Sequence, residues 1–155
     1  MSDKPPFMHL MRELVRCYQA FESYSLVDIR ASGLTPPQFD VIATLGNTCG
    51  MTFRELGEKT LITKGTLTGI VDRLTDKGLV RREDHPDDAR CTKVVLTPAG
   101  EQEFRRVFQP HIDYLADAFR RLPAERQAVL KEDLEALRLA FEASRQARSL
   151  PTEAT

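Results

Sequence analysis

The sequence has no tryptophan, only three cysteines, and no apolar run approaching the roughly 20 residues needed to cross a bilayer. Cys17, Cys49 and Cys91 are odd in number, far apart and free of any Cys-x-x-Cys pair, so a disulfide framework is not expected. The three histidines, His9, His85 and His111, are equally scattered, and none has a second ligand at helical spacing. Metal sensing is therefore not expected. Gly-x-Ser-x-Gly and phosphate-loop patterns are missing, and Gly65-Thr66-Leu67-Thr68-Gly69 falls inside a helical stretch rather than a phosphate cradle. Asp87-Asp88 sits on a turn, where water keeps both carboxylates ordinary and unfit for acid–base work. No enzyme and no cofactor are expected. Met1-Ser2-Asp3-Lys4-Pro5-Pro6 has neither a basic nor an apolar leader region, so the expected location is cytoplasmic.

What is present is an ordinary globular composition in a single-domain length: 155 residues, 41% hydrophobic and 29% charged. Net charge is −1, but it is unevenly spread. Between Arg54 and Arg82 seven cations (Arg54, Lys59, Lys64, Arg73, Lys77, Arg81, Arg82) face four anions (Glu55, Glu58, Asp72, Asp76), leaving that segment at +3. Local charge governs attraction to phosphates, so nucleic acid stays open as a partner despite the acidic total.

Hydrophobic spacing organises the chain. Phe7, Met11, Leu14, Tyr18 and Phe21 mark a first helix over about 6–31, stopped by Gly33. Thr35 followed by Pro36 opens a second, with Phe39, Ile42, Ala43 and Leu45 inward. A short third helix over about 53–59 buries Phe53 and Leu56. Thr63 caps a fourth, whose stripe is Leu67, Ile70, Val71 and Leu74. Thr66, Thr68, Gly69 and Arg73 fall off that stripe and face outward. Gly78 suits the left-handed residue that closes a helix.

Leu79–Glu83 and Cys91–Leu96 read as two strands joined by a polar turn over Asp84–Arg90. Thr97-Pro98 caps a fifth helix that carries Phe104, Phe108, His111, Leu115 and Leu122 and breaks at Leu122-Pro123. The last helix repeats Leu130, Leu134, Leu137 and Phe141, and the chain turns polar from about Ser144. The expected fold is mainly α, with β structure only in a wing. A winged helix-turn-helix over 35–99 is flanked by a helical dimerisation region at 1–34 and 100–150, and 151–155 is expected to be a disordered tail. The terminal stripes are long for so small a chain, and a second copy would cover them.

Two blocks resemble the MarR family of bacterial transcriptional regulators. One runs from Leu34-Thr35-Pro36-Pro37-Gln38-Phe39 through Leu56-Gly57-Glu58 and Thr66–Leu74 to Lys77-Gly78-Leu79-Val80. The other is Asp84-His85-Pro86-Asp87-Asp88-Ala89-Arg90 followed by Val94-Val95-Leu96-Thr97-Pro98-Ala99-Gly100. The resemblance covers about residues 30–105.

It implies a homodimeric repressor that binds a palindromic operator in double-stranded DNA and answers to a small aromatic acid or phenolic effector. It makes Thr63–Arg73 the recognition helix. Lys64 and the helix N-terminus around Gly65 would meet phosphate, and Thr66 and Thr68 base edges. Arg73 would hold phosphate or brace the wing, and Arg54 would join the DNA face. Arg90 would reach the minor groove, oriented by Asp88. The effector would sit among the first, second and fifth helices, with His9, Arg16, Phe39 and His111 as candidate contacts. The chain departs from the family pattern at Ala89, where relatives often carry Arg, at Gly69, and in its acidic wing tip. Two alternatives remain: a thiol-redox-sensing regulator using Cys17, against a structural role for that cysteine, and a winged-helix protein-interaction module without DNA binding.

Overall fold

The computed structural model describes residues 5–60, 62–85 and 88–149. Element order is α1 (Phe7–Ala31), α2 (Pro36–Leu45), β1 (Met51–Thr52), α3 (Phe53–Thr60), α4 (Lys64–Asp76), β2 (Val80–His85), β3 (Asp88–Leu96), α5 (Pro98–Phe119) and α6 (Ala124–Ser149). The chain divides into two compact units, residues 1–114 and 115–155.

In the first unit the helix ends are written in the sequence. Thr35 accepts a hydrogen bond from the Gln38 backbone N–H, and the Gln38 side chain accepts one from the Thr35 N–H, closing a capping box ahead of Pro36. Thr52 and Glu55 form a comparable pair at the start of α3: the Glu55 carboxylate accepts from the Thr52 N–H at 2.8 Å. Gly33 ends α1 and Gly78 ends α4, each with positive φ, at 85° and 72°. At Gly78 the bonds Leu79 N–H to Leu74 O (2.9 Å) and Gly78 N–H to Thr75 O (2.8 Å) make a complete Schellman motif. Thr97 caps α5 by accepting from Gly100 N–H, and its own hydroxyl donates to Gly78 O, joining the two helix ends.

The core gathers around α2 and α4. Val41, Ile42 and Leu45 from α2 meet Leu56, Leu67, Val71 and Leu74, and Val80, Val94, Phe104 and Val107 join the same cluster. Several of these are fully buried, so truncating one to alanine costs about 2–5 kcal/mol. The apolar positions expected on α2 and α4 are inside or packed against this core.

The wing is larger than expected. It is a three-stranded antiparallel sheet in the order β1-β3-β2, with Met51 opposite Val94 and Val80 opposite Leu96. Asp84, His85 and 88–90, expected in the connecting turn, continue the two strands, with a register shift at Asp84/His85. Polar residues are tolerated there because backbone pairing, rather than burial, extends the ladder. β1 was not expected at all.

Helix α5 runs through Pro110 and ends at Phe119, three residues short of the expected Leu122. In the second unit, Arg121 N–H to Ala118 O and Leu122 N–H to Phe119 O close that end in tight three-residue turns. The Gln127 side-chain amide donates to the Phe119 and Leu122 carbonyls. Helix α6 continues to Ser149, past the expected change near Ser144. Arg145, Gln146, Ala147 and Arg148 are all good helix formers, so the backbone stays helical after the apolar repeat has ended.

Among the described residues, little covers the expected stripe of α1, of which only Leu14 is partly buried. Phe7 is 63% exposed and Tyr18 61%, and Met11 and Phe21 are exposed too. On α6, Leu130, Leu134 and Phe141 are likewise exposed. Cys17, given a structural role above, is also exposed, because it lies on a part of α1 that none of the described residues covers.

Candidate nucleic-acid interface and the α1–α5 seam

Helix α4 carries its apolar stripe inward and everything else outward. Leu67, Ile70, Val71 and Leu74 are buried, whereas Thr63, Lys64, Gly65, Thr66, Thr68 and Arg73 are exposed and Gly69 is half-buried. Thr63 occupies the N-cap position, but its hydroxyl makes no cap hydrogen bond. It donates instead to Thr66 Oγ1 at 3.1 Å, while Thr68 Oγ1 donates to Lys64 O. The N-terminal amides of α4 therefore keep their electropositive character beside a row of hydroxyls.

Next to this end of α4 lies an open groove of about 940 Å3, walled by Phe53, Arg54, Lys64, Thr68, Arg82 and Thr92. Three of these are cations drawn from three elements. Arg54 is held by Glu58 at 3.1 Å, a highly exposed pair that can reopen toward a phosphate at little cost. Arg82, on β2, is fixed more firmly. Its guanidinium donates to Asp72 Oδ1 at 2.6 Å and lies 5.5 Å from the centre of the Phe53 ring. One side chain thus connects β2, α4 and α3. Neither Arg82 nor Asp72 stands out as a site residue in the sequence; their opposite charges, ten residues apart across a helix end, were the available signal.

The backbone places Asp88 and Arg90 in β3. Their side chains, and with them the expected Asp88–Arg90 hydrogen bond, lie outside the described residues.

The four candidate effector contacts divide in two. Phe39 and His111 meet edge-to-face with ring centres 4.8 Å apart. His111 is buried, and in the neutral ring Nδ1–H donates to Asp28 Oδ2 at 2.7 Å while Nε2 accepts from Ser25 Oγ at 3.2 Å. The Tyr24 and Tyr114 rings stack at 4.4 Å, and the Tyr24 hydroxyl donates to Tyr114 O. Asp40 of α2 lies within electrostatic reach of His111. His9 and Arg16 are not part of this cluster. At 1.5 Å per residue they stand about 24 Å and about 14 Å along α1 from Ser25. Ser25, Asp28, Tyr24 and Tyr114 escaped the sequence reading because their partners lie more than 80 residues away. Among the described residues, no group of three or more His, Cys, Asp or Glu side chains is placed to hold a metal ion.

A helix-turn-helix whose second helix bears hydroxyls and cations, followed by a β wing, defines the winged-helix class of DNA-binding proteins. Comparison with known proteins is specific. Residues 32–90 match the model of the MarR family. The uncharacterized HTH-type transcriptional regulator YsmB of Bacillus subtilis is 33% identical over 101 residues, which cover 65% of this chain and 69% of that protein. A cysteine-to-serine mutant of MarR from Escherichia coli, solved with operator DNA, is 25% identical, with a TM-score of 0.74 over 86% of this chain and 99% of its own. NadR in complex with 4-hydroxyphenylacetate is 25% identical, with a TM-score of 0.70 over 88% of this chain and 96% of its own. The chain belongs to the MarR family and is a DNA-binding transcriptional regulator. Among the described residues, no helix is long and apolar enough to cross a membrane.

Proposed function

We propose that the protein is a homodimeric, ligand-responsive repressor acting in the cytoplasm on a palindromic operator. The observation that carries this reading is the outward face of α4, with Thr66, Thr68 and Lys64 beside a groove rimmed by Arg54 and Arg82. Thr66 and Thr68 would read base edges in the major groove. Lys64, Gly65 and Thr63 at the helix N-terminus, with Arg54 and Arg73, would hold phosphates. Arg90, on the wing, would reach the neighbouring minor groove with Asp88 orienting it.

Two-fold symmetry would place two recognition helices in successive major grooves, with half-sites about one helical turn apart. The exposed apolar side chains on α1, and separately those on α6, support dimerisation, since exposed apolar patches mark interaction surfaces. In this reading 1–34 and 100–150 supply the dimer contacts and 35–99 the DNA contacts.

The effector would be a small aromatic acid or phenol, consistent with NadR binding 4-hydroxyphenylacetate. The region around Phe39 and His111 offers a flat apolar wall and a polar ring where α1, α2 and α5 meet. A ligand there acts by binding the DNA-competent and DNA-incompetent arrangements with different affinity. The exposed thiol of Cys17 supports a second reading, a thiol-switched regulator. A peroxide response retained by Cys17→Ser would exclude it.

The test is a gel shift with duplex DNA from immediately upstream of the protein's own gene, followed by titration with benzoate-type acids and phenols. Binding relieved by one member of the panel is expected. Failure to bind any upstream fragment more tightly than unrelated DNA would overturn the proposal.

A further inference from the structure

Four helix ends converge on one side of the first unit. Gln38, in the first turn of α2, is buried, and its Oε1 accepts from the Thr35 N–H at 3.2 Å and from Lys77 Nζ at 3.3 Å. Lys77 caps the C-terminus of the recognition helix, so this bond joins the end of α4 to the start of α2, 39 residues earlier. The positive ammonium also complements the negative end of the α4 dipole.

The start of α2 is in turn tied to α1 and α5. Arg106 Nη2 donates to Ser32 O, the C-cap carbonyl of α1, at 2.8 Å. The same guanidinium is held by Glu103 one turn away, at 2.9 and 2.5 Å. Glu103 lies below the ordinary carboxylate range, first because of that Arg106 hydrogen bond; the charges of Arg106 and of Lys77 also contribute. Lys77 is therefore bonded to α2 and within electrostatic reach of α5.

The apolar stripe of α4 holds it against the core, but hydrophobic contact carries no directional preference of its own. A hydrogen bond to a buried, doubly engaged carbonyl supplies the missing direction. Resting on the DNA-binding reading, we infer that Lys77 is a positioning residue: through Gln38 it fixes the pose of the recognition helix on the α1–α2 joint that Arg106 fastens to α5.

The test uses a duplex selected by the wild-type protein from a random-sequence library and an unselected duplex of the same length. Affinities for both are measured across a salt series for wild type, Lys77→Met and Lys77→Arg, with melting temperatures in parallel. Lys77→Met is expected to lose about tenfold in affinity for the selected duplex, the scale of one mismatched base pair. It should keep its affinity for the unselected duplex and its salt slope, and Lys77→Arg should restore selectivity. An equal loss on both duplexes, with the slope reduced by about 0.9, would make Lys77 a phosphate contact and overturn the inference. So would unchanged selectivity in Lys77→Met. A wild-type protein that enriches no duplex overturns the DNA-binding reading itself, and this inference with it.

Discussion

Arg82 of the wing and Asp72 of α4 are joined by an ion pair of 2.6 Å, with the Arg82 guanidinium also lying near the Phe53 ring. The pair is partly exposed, 38% and 53% for the two side chains, so its contribution to stability is modest, about 1 kcal/mol or less. Its consequence is geometric: it fixes where the wing leaves the helix.

That role makes a prediction opposite in sign to simple electrostatics. Asp72→Asn removes a negative charge from the exposed face of α4, which should tighten DNA binding if only charge mattered. If Asp72 anchors Arg82, the same change weakens binding to a selected duplex, with melting lowered by no more than about 4 °C. Fluorescence anisotropy and a thermal melt on one sample read both quantities.

His111→Leu is expected to destabilise the protein by about 1–3 kcal/mol. The substitution leaves the Asp28 carboxylate and the buried Ser25 hydroxyl without their ring partner and removes the edge contact with Phe39. Denaturant unfolding measures this loss, and a cost below about 0.5 kcal/mol would show that water replaces the ring freely.

Two glycines should behave oppositely on conversion to alanine. A Cβ at Gly100 would overlap the Leu79 carbonyl oxygen, so α5 would have to move off the turn that follows α4. Gly100→Ala should cost about 1–3 kcal/mol or more. At Gly69 a Cβ meets nothing within 4 Å, and Gly69→Ala inside α4 should add about 1 kcal/mol. Paired thermal melts check both.

Acid should weaken the junction at Glu103. Its folded value lies below the ordinary 4.5, chiefly through the Arg106 hydrogen bond, so its stabilisation is present above 4.5 and is lost as pH falls through the depressed folded value. The stability gap between wild type and Glu103→Gln should therefore be constant near neutrality and close as the solution is acidified below 4.5. Because Arg106 is exposed, the gap itself is small, about 1 kcal/mol or less.

Features carried by neighbouring residues were legible in the sequence. Gly33, Gly78, Thr35-Pro36 and Thr97-Pro98 each mark a helix end through local backbone chemistry, and the structure puts helix ends there. The inward and outward faces of α4 followed from a period that any 13-residue helix must obey. What escaped was set by distant pairing. β1 is two residues long, too short to show alternation, and exists because Met51 finds Val94. Polar residues lengthened β2 and β3 because the ladder needs backbone partners and no particular side chain. The seam of Ser25, Asp28 and His111 joins residues over 80 positions apart: the apolar stripe of α5 pointed His111 inward, but Ser25 and Asp28 look like ordinary surface residues until α1 and α5 are placed side by side.

In the proposed function, α4 and the wing read a two-fold symmetric DNA site. The most direct test of this reading is recovery of genomic fragments bound by the purified protein at physiological salt, followed by sequencing. The account predicts an enriched palindrome with half-sites about one helical turn apart, and its loss when Thr66 and Arg90 are both changed to alanine. Fragments that share no sequence, or the same palindrome recovered by the double variant, would contradict it.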